Sequence, residues 1–158
     1  MALTKGLNSY ATLVEADAYF SDRLDVAAWT DANVTLKEQA LVTATNVLDE
    51  LTWTGVAMSD TQTLSFPRSG SYFDPRIGTQ VTLDNTVPQR IIRATYELAY
   101  HLLNNEGLLD DTGTVQDVQV SSISITKVNS PSLIPAAVKR LIKPLLVNAG
   151  ASMWWRAN

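Results

Sequence analysis

Two stretches in the first third of the chain pair a helix-capping signature with an apolar stripe, and they narrow the choice of fold most. Thr12-Leu13-Val14-Glu15 fits a capping box, in which the Thr hydroxyl accepts from an early backbone N–H and the Glu reaches back to the cap. Leu13, Ala16, Phe20 and Leu24 follow on one face, with Tyr19 beside them. A second box, Thr35-Leu36-Lys37-Glu38, opens a helix whose Leu41, Ala44, Leu48 and Leu51 share a face, and Trp53 before Gly55 is placed to cover its end. Between them, Val26 to Trp29 is long enough for one short helical turn.

Pro88 suits the first residue of a third helix. Ile91, Thr95, Leu98 and Leu102 make one stripe on it, and Ile92, Ala99 and Leu103 make a second. That broad face marks the central helix, and Gly107 stops it. A last helix starts at Pro135 with Val138, Leu141, Ile142 and Leu145 inward, and Pro144 is expected to kink or restart it.

Two regions break the helical pattern. Residues 56–87 hold Pro67, Gly70, Pro75 and Gly78 without helical period, and are expected to form a long irregular loop. Residues 115–128 alternate, with Val118 and Val120 in one phase and Ile123 and Ile125 in the other, as a strand pair turning at Ser121-Ser122 would. The expected fold is mainly α: a small bundle of four to five helices with a long irregular loop and a short β-hairpin or strand segment. The organisation reads as an N-terminal arm over 1–10, a helical domain over 11–148 and a C-terminal docking tail over 149–158.

Chemistry is sparse. The chain has no cysteine and a single histidine, His101, read as structural beside the apolar stripe of the third helix. Asp110-Asp111 reads as a solvated acidic turn, and Glu15 and Asp17 as first-turn acids that favour the helix dipole. No phosphate-binding loop, dinucleotide fingerprint or nucleophile elbow is present. No catalytic residues, no metal and no cofactor are therefore expected, and the chain is not read as an enzyme. The formal net charge of −4 argues against DNA as the main partner, whose phosphates call for a basic field, while leaving room for a local basic patch. No apolar run reaches the roughly 20 residues of a membrane span, and the N-terminus lacks the apolar run of a secretory signal, so a protein made in the cytoplasm without membrane contact is expected.

The aromatics of the irregular regions need a home. Phe66, Tyr72 and Phe73 are open between a lid on the core and an interface. Trp154 and Trp155, with Met153 and Arg156 around them, favour an interface because aromatic anchors are enriched at binding hot spots.

The order of motifs resembles a phage protein family. Tyr10, Thr12, Glu15-Ala16 and Tyr19-Phe20 match its opening, and Ala40-Leu41, Leu48-Asp49 and Trp53-Thr54-Gly55 match its second helix and turn. Gln62, Leu64, Phe66-Pro67-Arg68 and Gly70 match a following element, and Val87-Pro88, Ala94 and Glu97-Leu98-Ala99 a third helix. The family is similar to the head-to-tail connector adaptors of tailed bacteriophages, and some members carry a DnaT-like label. The resemblance implies a virion protein of the neck, made in the host cytoplasm. It would form a homo-oligomeric, dodecameric ring between the portal protein and the next neck or tail component, with DNA only as passing cargo in the exit channel.

In that ring, Met153, Trp154, Trp155 and Arg156 are expected to dock on the portal. Phe66, Arg68, Tyr72, Phe73, Val118, Val120, Ile123 and Ile125 would contact neighbouring subunits or the tail. The alternative is a single-stranded DNA-binding replication accessory protein.

Overall fold

The computed structural model describes residues 2–109, 117–120, 123–126 and 132–147, with side-chain surroundings defined for 2–109 and 132–147. Its helices are α1 (Leu13–Ser21), α2 (Ala27–Thr30), α3 (Val34–Asp49), α4 (Gln89–Asn104) and α5 (Ala136–Ile142), the last followed by a 3₁₀ turn over Lys143–Leu145. Its strands are β1 (Val56–Ala57), β2 (Arg68–Asp74), β3 (Thr79–Asp84), β4 (Asp117–Val120) and β5 (Ile123–Thr126). The expectation of a helix-dominated small bundle is met. None of the described helices is long and apolar enough to cross a membrane.

α1 opens as its sequence predicts. Thr12 Oγ1 accepts from Glu15 N at 3.2 Å while the Glu15 carboxylate accepts from Thr12 N at 2.8 Å, so both halves of the capping box form. The helix ends at Ser21, one turn earlier than its apolar stripe suggests, and Leu24 beyond it is 86% exposed rather than inward. α3 begins two residues earlier than its predicted capping box. Asn33 caps α3, its Oδ1 accepting from Leu36 N at 2.9 Å, and Thr35 is already inside the first turn. Asn is the better cap of the two, and it claims the N–H first.

The core lies between α3 and α4, with α2 and α5 laid against α4. α3 contributes Leu41, Ala44 and Leu48; α4 contributes Ile91, Ala94, Leu98 and Ala99; α5 adds Val138 and Ile142, all buried. Buried Thr45 and Thr95 satisfy their hydroxyls on the carbonyls one turn back, Leu41 O at 2.9 Å and Ile91 O at 3.0 Å. The predicted N-terminal arm is not free at its end. Tyr10 is only 1% exposed, and its backbone N–H donates to Thr45 Oγ1 at 3.3 Å, pinning the chain to α3 before α1 starts.

Residues 56–87 differ most from expectation: in place of an irregular loop they carry the antiparallel sheet β1-β2-β3. β2 pairs with β3 from Ser69↔Asp84 to Asp74↔Thr79, so Pro75 and Gly78, read as breakers of structure, sit in the connecting turn. Gly55 explains the tight join from α3 into this sheet. It has φ +77°, and a Cβ there would lie 2.2 Å from the backbone oxygen of Ser69. The one expected strand pair is present, β4 and β5 pairing antiparallel from Asp117↔Thr126 to Val120↔Ile123.

Candidate nucleic-acid interface

The polar stripe of α4 runs Arg90, Arg93, Glu97, His101 at spacings of three and four residues, which puts all four on one side of the helix. α5 packs against α4, and the stretch from Ser132 to Val147 carries Lys139, Arg140 and Lys143 with no acidic residue. Where these helices meet α1, a depression of about 450 Å³ opens, lined by Tyr19, Arg23, Arg90, Arg93, Glu97 and Arg140 among others. Four arginines face one glutamate in a chain whose overall charge is −4.

The arginines divide into two kinds. Arg90 is fixed: its Nη2 pairs with Asp74 Oδ1 at 2.6 Å and its Nη1 donates to Leu141 O at 3.4 Å, tying the end of β2 to α4 and α5. Arg23 pairs with Glu97 Oε2 at 2.7 Å, and its guanidinium lies 5.0 Å from the Tyr100 ring centre. Arg93 and Arg140 are exposed, and among the described residues no hydrogen bond or ion pair engages them. They are the charges free to meet an anion.

Tyr19 stands at the edge of this depression. Its hydroxyl donates to Glu97 Oε1 at 2.5 Å, and its ring centre is 4.9 Å from that of Tyr96. Burial first, and then the neighbouring Glu97 carboxylate, push the Tyr19 phenol up to about 12, so it remains a donor at neutral pH. Glu97 thus accepts from Tyr19 and pairs with Arg23, which offsets its own negative charge inside the basic depression.

Asp74 anchors the far end. Hydrogen bonds from Arg90 and then Arg76 hold its carboxyl well below the usual carboxylate range. A group whose folded pKa is depressed stabilises the fold above its unfolded value, about 4, and loses that contribution as pH falls from there toward the folded value. Thermal melts of Asp74→Asn against the parent chain should therefore show a stability gap at about pH 7 that narrows below about pH 4. A gap constant with pH would contradict this role.

Three of the eight residues expected to contact neighbouring subunits or the tail, Phe66, Arg68 and Tyr72, make contacts within the subunit. Phe66 is 2% exposed against Tyr10 and Trp53. Tyr72 faces the core from β2. The Arg68 guanidinium donates to four backbone carbonyls, those of Trp53, Thr54, Gly55 and Ser65, at 2.7–3.3 Å. Phe73 alone of this group points outward, at 51% exposure. Val118, Val120, Ile123 and Ile125 are placed on the β4–β5 pair by backbone register alone. Met153, Trp154, Trp155 and Arg156 lie outside the described residues.

His101 Nε2–H donates to Ser132 O at 2.9 Å, which ties α4 to the segment leading into α5. Among the described residues no three His, Asp or Glu side chains cluster as metal ligands. The basic depression itself was not anticipated from the sequence, although a signal for it was there. Eleven of the sixteen acidic residues precede residue 85, whereas seven of the twelve basic residues follow it.

Residues 2–157 match the family described as "Putative DnaT-like ssDNA binding protein". The chain belongs to this family. No curated protein and no solved structure matches it. Membership bears out the DnaT-like part of the resemblance and overturns the connector reading. The family's description names single-stranded DNA, with no portal, neck ring or exit channel. The expected dodecameric ring on a portal protein, with DNA only as passing cargo, is corrected accordingly. The connector reading rested on the resemblance of motifs, and total charge, which weighed against DNA as the main partner, does not report the local field. A net charge of −4 sets the average potential of the molecule, whereas a strand of DNA meets one face of it.

Proposed function

We propose that the chain binds single-stranded DNA along the depression between α1, α4 and α5, and that it acts by binding, without a catalytic step of its own. The observation that carries this reading is the pair Arg93 and Arg140, exposed and unengaged among the described residues, both lining one basic depression with Tyr19. Family membership supports the choice of ligand. A single strand needs cations that track its phosphates together with an aromatic surface for its bases, and both occur here within one groove. An accessory role beside other DNA-handling proteins suits a small chain with this basic face among its described residues.

Fluorescence anisotropy of a labelled oligothymidylate across a salt series tests the reading. Contacts to phosphate by two to four arginines predict a slope of log K against log salt of about −1.4 to −2.8, shallow because few counterions are released. Absence of binding at low salt, or binding indifferent to salt, would overturn it.

A further inference from the structure

The basic depression has a neighbour. A second one, of about 310 Å³, is lined by Glu15, Ala18, Tyr19, Gln89, Arg93 and Tyr96 among others. The two share Tyr19 and Arg93, so this pair of side chains forms the divide between them. One side of the divide is dominated by arginines. The other sets a single cation, Arg93, against one carboxylate, Glu15, and is otherwise walled by tyrosine rings, Ala18, Ile92 and the amide of Gln89. Its volume lies at the low end of the roughly 300–1,000 Å³ in which small ligands sit.

Resting on the DNA-binding reading above, we propose that these depressions form one two-part nucleotide site: the phosphate lies among Arg93 and Arg140, and the base of the same strand stacks on Tyr19 in the second depression. Tyr19 is prepared for this. Its hydroxyl is held by Glu97, which Arg23 holds in turn, and the Tyr96 ring braces it at 4.9 Å between centres. A ring already fixed loses little freedom when a base arrives, so the stacking energy goes into affinity. Arg93 at the divide is placed to bridge the two parts, with its charge toward phosphate and its plane toward a neighbouring base. Every base has a flat π-face, so the site should favour single strands while tolerating sequence.

The test compares an oligothymidylate with an oligomer of the same length and phosphate count built from abasic residues. The parent chain should bind the oligothymidylate roughly five- to a hundred-fold more tightly, the range expected for stacking of one base. Tyr19→Phe, which keeps the ring but loses the hydroxyl held by Glu97, should keep a preference for the oligothymidylate that is smaller than the parent's. Tyr19→Leu, which keeps apolar volume but removes the flat face, should bring the ratio close to one. If both oligomers bind the parent chain equally, or if Tyr19→Leu leaves the ratio unchanged, the stacking site is wrong while DNA binding stands. If neither oligomer binds, the underlying reading fails as well. Where Tyr19→Leu fails to fold, equal binding of the two oligomers by the parent chain still overturns the stacking site.

Discussion

Replacing Phe66 by alanine is expected to cost about 3–5 kcal/mol of folding stability, the range for truncating a buried aromatic side chain. The ring is 2% exposed and meets Trp53 edge-on, with centres 5.2 Å apart, and Tyr10 at 6.1 Å. These three rings join segments far apart in sequence: the entry to α1, the end of α3 and the approach to β2. The backbone there is tied as well. Phe66 N–H donates to the Tyr10 hydroxyl at 3.3 Å, the Tyr10 hydroxyl donates to Asp49, and Ser65 N–H donates to the same carboxylate at 3.3 Å. Burial, followed by the adjacent Asp49, pushes the Tyr10 phenol far up, which keeps it protonated as a donor. A cavity at Phe66 removes packing from all three segments, and the surrounding hydrogen bonds limit how far they can close over it.

Urea unfolding checks this through a lowered midpoint with an unchanged slope. Phe73→Ala, on the exposed face of β2, should stay within about 0.5 kcal/mol of the parent. A loss below about 1 kcal/mol at Phe66 would contradict its place in the core, because truncations of that size belong to surface positions. The same experiment separates a core aromatic from a contact between subunits, the two roles that the sequence leaves open for this residue.

The helices were legible because their signals are local. Thr12 and Glu15 lie three residues apart and find each other as soon as the turn forms, so the cap of α1 reads directly from four letters. Pro88 and Pro135 mark the starts of α4 and α5 within one residue. Leu24 failed for the opposite reason: a periodic stripe says which face is apolar, not where the chain leaves the helix, and α1 ends before Leu24 is reached.

The sheet was hidden by its own burial pattern. On β2 only Tyr72 and Asp74 turn fully inward, and one of them is an acid, so the expected alternation of apolar and polar residues is missing. Asp74 can be buried because Arg90, sixteen residues later on another element, pairs with it. A rule that looks at neighbours along the chain has no means of pairing them. Arg68 was hidden in the same way, since its carbonyl partners at Trp53, Thr54 and Gly55 approach only once the sheet has folded back on the end of α3.

The basic groove is a tertiary property of this kind. Arg93 and Arg140 stand 47 positions apart, and only the packing of α5 on α4 brings them to one depression. What the sequence did offer was the uneven spread of its charges, with the acids weighted to the first half and an acid-free stretch from Ser132 to Val147. Summing the whole chain to −4 erased that signal. Charge read by segment, and then by helix face, would have kept single-stranded DNA in contention as the principal partner.

The most direct test of the account is the affinity of the double variant Arg93→Glu/Arg140→Glu for the labelled oligothymidylate at low salt. Both side chains are exposed, so the variant should melt close to the parent. Each reversal removes a charge-assisted contact worth about 1.5–3 kcal/mol and adds repulsion, so the account predicts a loss of roughly a hundred-fold or more, with a salt slope reduced by at least about 1.4. A variant that melts like the parent and binds the oligonucleotide equally well would contradict the account and move the DNA-binding surface away from this groove.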